Sequence, residues 1–233
     1  MYGNYSAHFD SQSSSGDIVQ FNQFNLIYGN ALATAPEGPV LDLGCGQGEW
    51  LEWMRQKGYP HLCGVDLSAE DLQIAANRGF EVHHSHVSDF LNGHENRFAM
   101  IHAKDLIEHL DKNELVELGQ AALKALLPGG LFVASTFNAQ APLSSTTRYG
   151  DFTHEFGFTR SSISQWLLAC GFGSVFSKGY HACPSSLKGR ARKMAYWFVA
   201  TVCEFVVTLR HGNSDKTSCL PDLLVVATKT PSL

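Results

Sequence analysis

From residue 40 to residue 137, short apolar runs alternate with amphipathic stretches. Residues 40–43 (VLDL), 61–67 (HLCGVDL), 80–87 (FEVHHSHV), 97–103 (RFAMIHA) and 131–137 (LFVASTF) are strand-length, bounded by turn formers, and read as strands. Between them residues 49–58, 68–79 and 111–130 read as helices, the first ending at Gly58, the second capped by Ser68 and the third closed by Pro and Gly. Residues 18–32 lead in as a helix, with Ile18, Phe21, Phe24 and Ile27 at helical spacing, behind a polar stretch, 1–16, read as a mobile arm. Strands alternating with helices predict one doubly wound α/β domain over residues 17–233, its parallel sheet covered on both faces by right-handed crossovers. In such sheets ligands bind at the carboxyl ends of the strands.

The turn after the first of these strands, in VLDLGCGQGEW, carries Gly44, Gly46 and Gly48 at alternate positions. Glycines this close weaken any strand or helix, so the turn requires bare backbone that something approaches closely. A dinucleotide site asks for G-x-G-x-x-G, with the pyrophosphate on the helix N-terminus. Here its third glycine position holds Glu49, whose carboxylate repels a pyrophosphate. S-adenosylmethionine, a sulfonium cation without phosphate, accommodates Asp42 and Glu49. Asp66 closes the second strand, where a carboxylate accepts ribose hydroxyls in either class of site.

Composition narrows the field further. The net charge of -5 gives no footprint for nucleic acid. The six cysteines stand singly, without a CxxC pair, and read as reduced and structural. The first residues show no basic and apolar export signal, so a cytoplasmic location is expected. Of the histidines in HHSH, His84 and His86 share a strand face, with no acid or cysteine at ligand spacing, and no metal is expected.

The stretches VLDLGCGQGEW, GVDLS, DLIEHL and LLPGGLFVAST, in this order, resemble the class I S-adenosylmethionine-dependent methyltransferases. The resemblance runs from about residue 40 to residue 172 and resumes at LPDLLVVATK. It implies a Rossmann-like sheet of seven strands in the order 3-2-1-4-5-7-6, the seventh antiparallel, with residues 172–179 and 223–228 as strands six and seven. It also implies that Gly44, Gly46 and Gly48 line the methionine moiety, that Asp42 sits beneath the cofactor and that Asp66 holds the ribose. Cys45, Leu67, His86, Val87 and Lys104 complete the implied cofactor contacts. His86 stands where many relatives carry an acid for the adenine amino group, with Asp89 three residues on, so the backbone at Val87 is the expected adenine contact.

The segment after the fifth strand is long for a connection in a compact domain, and such loops tend to be functional. Its RYGDFTHEFGFT resembles a subset of the family associated with bacterial surface-polysaccharide biosynthesis, implying a sugar or glycan acceptor. The expected reaction is O-methylation by in-line displacement at the sulfonium methyl. His154 is the expected base, oriented by Asp151 or Glu155, with His109 in reserve; Arg148, Tyr149 and Glu155 are the expected acceptor contacts. A nicotinamide-dependent oxidoreductase and a non-catalytic cofactor-binding scaffold are the rivals. Residues 187–211 form an insert before the last strand. Its core, 194–209, is apolar apart from Glu204 and is flanked by Lys188, Arg190, Arg192, Lys193 and Arg210. Sixteen residues fall short of the roughly 20 a membrane-crossing helix needs. Packing on the domain or in a homodimer is expected first, and peripheral contact with the inner face of a membrane second.

Overall fold

The computed structural model describes residues 14–33, 35–181, 186–212 and 218–231. The chain runs α1 (Ser14–Leu32), β1 (Val40–Leu43), α2 (Glu49–Gln56), β2 (Leu62–Asp66), α3 (Ala69–Asn77), β3 (Glu81–His84), α4 (Val87–Asn92) and β4 (Phe98–Lys104). A single 3-10 turn, Ile107–His109, leads to α5 (Lys112–Ala125) and β5 (Leu126–Phe137). Then follow α6 (Ser144–Arg148), α7 (Arg160–Ala169), β6 (Ser174–Tyr180), α8 (Leu187–His211) and β7 (Asp222–Thr228). The sheet order is β3-β2-β1-β4-β5-β7-β6, as the resemblance implies, with β7 antiparallel to both its neighbours.

The period-two alternation of the strands divides the core into two layers. Leu41, Leu43, Ile101 and Phe132 point to the layer holding Val87, Leu118 and Leu167, from α4, α5 and α7. Val40, Met100, Leu131 and Val133 point to the other, with Phe24 and Tyr28 of α1 and Trp50, Trp53 and Met54 of α2. Along this second face Asp42 of β1 is in register with His102 of β4, and Ser135 of β5, in register with Lys104, lies nearer the carboxyl edge, so buried polar groups gather just below that edge.

Four boundaries differ from the sequence reading. Helix α1 begins at Ser14, inside the stretch expected to be a mobile arm; the rest of that arm lies outside the described residues. β3 stops at His84, and α4 takes up residues 87–92, where no helix was expected. β5 starts at Leu126, so LLPGG belongs to the strand rather than to the end of α5, which begins at an Asp111 capping box. Within the loop after β5, the short α6 and a parallel bridge between Asn138 and Phe158 replace open coil. Among the described residues no helix is long and apolar enough to cross a membrane.

Candidate active site

The turn after β1 has the geometry its glycines predict. Gly44, Gly46 and Gly48 have φ of 68°, 50° and 84°, the left-handed region that costs other residues energy. The amides of Gly44 and Cys45 donate to the Val65 carbonyl at 2.8 and 3.1 Å, which pins the turn to β2. Asp66 completes the link: its Oδ2 accepts from the Gly46 amide and its Oδ1 from the Ser68 amide, both at 2.8 Å. Each carboxylate oxygen retains a second acceptor site, so Asp66 is held in place and still able to receive hydroxyls. A Cβ at Gly46 meets nothing within 4 Å, so bare backbone faces open space there. These features fit S-adenosylmethionine: backbone that a ligand approaches closely, a braced carboxylate at its rim, and acids in place of a phosphate cradle.

Not every implied contact lies on this cleft. Cys45 is 4% exposed and packs on Gly64, where an added methyl would stand 2.6 Å from its Sγ. Asp42 is 2% exposed and accepts from His102 Nδ1 at 2.7 Å, while the His102 ring stacks on Trp50 at 3.9 Å. Burial raises the Asp42 carboxyl above its ordinary value, and His102 opposes that rise. This pair supports the turn from below. Leu67 is exposed, and its carbonyl is bonded by His84 Nε2 at 3.0 Å. His86 caps α4 and Val87 opens it, so both stand at a helix start rather than on a strand. Lys104, at the end of β4, is exposed and ion-paired with Asp105. Spacing along the chain hid one neighbourhood: His83 lies 3.1 Å from Glu81, and donor atoms of Cys63, Glu81 and His83 fall within 4.8 Å of one another.

The acceptor side is built by the residues after β4 and the loop after β5. Asp105 takes a left-handed φ of 49°, sharply turning the chain as it leaves the sheet. Glu108 follows, 3% exposed, its backbone oxygen accepting from the Glu155 and Phe156 amides at 2.8 and 3.0 Å. Burial, with Asp105 adding to it, pushes the Glu108 carboxyl up to about 8. Its Oε2 has no hydrogen-bond partner among the described residues.

His109 bonds through Nδ1 to Thr153 Oγ1 at 2.8 Å, and that hydroxyl donates to Asp151 Oδ1 at 2.7 Å. The hydroxyl proton is committed to Asp151, so Nδ1–H is the donor to Thr153 and the lone pair of the neutral ring is on Nε2. Burial first, and His154 second, hold His109 below its ordinary value, while Asp151 and Thr153 pull it up. His154 donates from Nδ1 to the Thr147 carbonyl at 3.0 Å, stacks on Phe137 and lies 4.8 Å from the His109 ring. Asp151 therefore reaches the His109 ring through Thr153. Donor atoms of Glu108, His109 and His154 lie within 4.8 Å of one another, a spread that a bound cation could span.

Arg148, expected to meet the acceptor, donates to the backbone oxygens of His154 and Glu155 and clamps the loop. Tyr149 is 79% exposed beneath its guanidinium, and the Glu155 side chain is exposed; neither joins the cluster. Glu108 and Asp105 were missed although DLIEHL was in view. Their significance arises from burial by residues 155–156 and from a left-handed turn, neither of which a local pattern reveals.

A family described as a methyltransferase domain matches residues 24–175. The chain belongs to that family. It thus carries an S-adenosylmethionine-dependent methyltransferase domain, and its seven-stranded sheet is that of solved relatives. A methyltransferase of this kind from Archaeoglobus fulgidus superposes with a TM-score of 0.68 at 19% identity, covering 90% of this chain and 94% of that one. A Haemonchus contortus phosphoethanolamine N-methyltransferase, solved with phosphomonomethylethanolamine and S-adenosylhomocysteine, gives 0.60 at 15% identity, covering 93% and 58%. Among curated proteins, phosphoethanolamine N-methyltransferase 1 of Arabidopsis thaliana is 28% identical over 152 residues, 61% of this chain and 30% of its own length. A ubiquinone biosynthesis O-methyltransferase of Aromatoleum aromaticum is 28% identical over 136 residues, 56% and 57% of the two chains. The matches thus span between about a third and somewhat over half of these two relatives.

Proposed function

We propose that this domain methylates a hydroxyl of a small, hydroxyl-rich acceptor, a sugar or surface-glycan intermediate, with His109 as the base. The observation that carries the reading is the His109–Thr153–Asp151 chain of hydrogen bonds, which presents Nε2 as a lone pair at the carboxyl end of β4. S-adenosylmethionine supplies an electrophilic methyl group. Gly44, Gly46 and Gly48 leave room for its amino-acid part, and Asp66 receives its ribose. His109 takes the acceptor proton as the bond to oxygen forms, and Asp151, through Thr153, stabilises the imidazolium that results. Orientation contributes more: holding two reactants in near-attack geometry is worth on the order of 7–11 kcal/mol.

A cationic amine is the second reading, favoured by Glu108, Asp105 and Asp222, acids gathered at this edge with the Asp222 carboxyl pushed up to about 6 by burial. The N-methyltransferases among the relatives agree with it. Transfer of labelled methyl from S-adenosylmethionine to a panel of nucleotide sugars, glycan extracts and small amines decides between the two. A labelled sugar supports the first reading, and label on amines alone replaces it with the second. No transfer to either class removes both.

A further inference from the structure

Helix α8 has two faces that the sequence alone does not separate. Towards the body it turns Gly189, Lys193, Tyr196, Ala200, Cys203 and Val207, buried or half-buried at helical spacing. Its one acid, Glu204, faces inward as well, accepting the Cys219 amide at 2.8 Å. Outward run Leu187, Met194, Phe198, Val202, Phe205 and Leu209, each between 47% and 82% exposed. The inner face thus meets the domain, and the outer face is left bare. Lys188, Arg190, Arg192 and Arg210 flank the stripe and are exposed too. The helix carries five basic residues against one acid in a chain whose net charge is -5.

We infer that α8 is a docking surface for a membrane leaflet bearing anionic headgroups, lying in the interface with its stripe among the acyl chains. Three features select this occupant. A continuous apolar face this large marks an interaction site rather than ordinary surface. Apolar residues with Trp197 beside them and bases at the margins are the composition of interfacial helices. A second copy meeting this stripe across a two-fold axis brings bases towards bases, whether the helices run parallel or antiparallel, with no exposed acid on the helix to answer them. The placement has a functional consequence. β6 ends at Tyr180 and β7 begins at Asp222, level with Phe137 of β5, so α8 hangs from the sheet edge that carries the candidate active site. Asn138 reinforces this attachment by donating to the Ser218 and Leu220 carbonyls, at 2.7 Å each.

The test is sedimentation of the full chain with vesicles of phosphatidylcholine alone and of phosphatidylcholine mixed with phosphatidylglycerol. The parent should bind the anionic vesicles at least about tenfold more tightly, and lose most of that preference in about 0.5 M salt. Phe198→Glu with Phe205→Glu should abolish binding, while the milder Lys188→Gln with Arg192→Gln should weaken it on anionic vesicles only. All these side chains are exposed, so thermal melting and S-adenosylmethionine binding by calorimetry should match the parent. The inference does not depend on the acceptor or on methyl transfer. A parent that binds neither vesicle overturns it. So does a parent dimer that Phe198→Glu with Phe205→Glu converts to a monomer by light scattering, which assigns the stripe to a second copy.

Discussion

Replacing Thr153 with Val isolates the part of the site on which the proposed base depends. Valine has the shape of threonine but lacks the hydroxyl, so it removes the 2.8 Å bond to His109 Nδ1 and the 2.7 Å bond to Asp151, while the Thr153 amide bond to Asp151 at 2.9 Å survives. Hydrogen bonds to charged groups are worth about 1.5–3 kcal/mol, and the imidazolium formed during proton transfer is such a group. At about 1.4 kcal/mol per decade, turnover should fall about 10- to 150-fold. Affinity for S-adenosylmethionine should not change, because the glycine turn and Asp66 lie outside this chain of bonds.

The sign of the pH effect provides a second readout. The base acts when neutral, so activity is lost as the pH falls through the His109 pKa, already below its ordinary value through burial. Asp151 and Thr153 pull that pKa upward, so the variant should titrate at still lower pH. Its plateau falls while its acid limb moves down, a combination that simple loss of stability does not produce. An NMR titration of the His109 ring reads the shift without any acceptor, and labelled-methyl transfer reads the plateau. An unchanged His109 titration together with parental turnover would refute the assignment.

Asp66→Ala should weaken S-adenosylmethionine binding by at least about tenfold in calorimetry, since it removes the ribose acceptor and frees the Gly46 amide; parental affinity would contradict the placement of the cofactor. Glu108 has a folded pKa of about 8 against an ordinary 4.5, so the folded chain binds the extra proton between those values and its stability declines as pH rises across that window. Glu108→Gln removes this decline, and its melting temperature relative to the parent should climb from pH 5 to pH 8. A constant difference across that range would show that the carboxyl is not held in its neutral form.

The strands themselves and the glycine turn were legible because each has a local signature, apolar runs of strand length and glycines where only a left-handed backbone serves, whereas the strand order came from the family resemblance. Ser68 likewise announced its helix, because a cap acts on an amide three residues away. The acceptor side was less legible. Asp151 and His109 are 42 positions apart, and the choice between His109 and His154 depends on how the loop folds back onto the 3-10 turn. Arg148 read as a ligand because a charged loop residue resembles one, although its hydrogens go to loop carbonyls. The two faces of α8 were hidden for a different reason: both are rich in apolar residues, so periodicity alone does not tell the face packed on protein from the face left bare.

The antiparallel insertion of β7 gives the fold a freedom that its other connections lack. Parallel neighbours need a crossover long enough to return across the sheet, whereas an antiparallel pair closes with as few as two residues. The 41 residues between Tyr180 and Asp222 are therefore far more than topology demands. Each doubling of such a link costs only about 0.6 kcal/mol in closure entropy, and no strand register depends on its length. The link can therefore carry a helix the length of α8 while the glycine turn after β1, on the far side of β4, keeps its geometry.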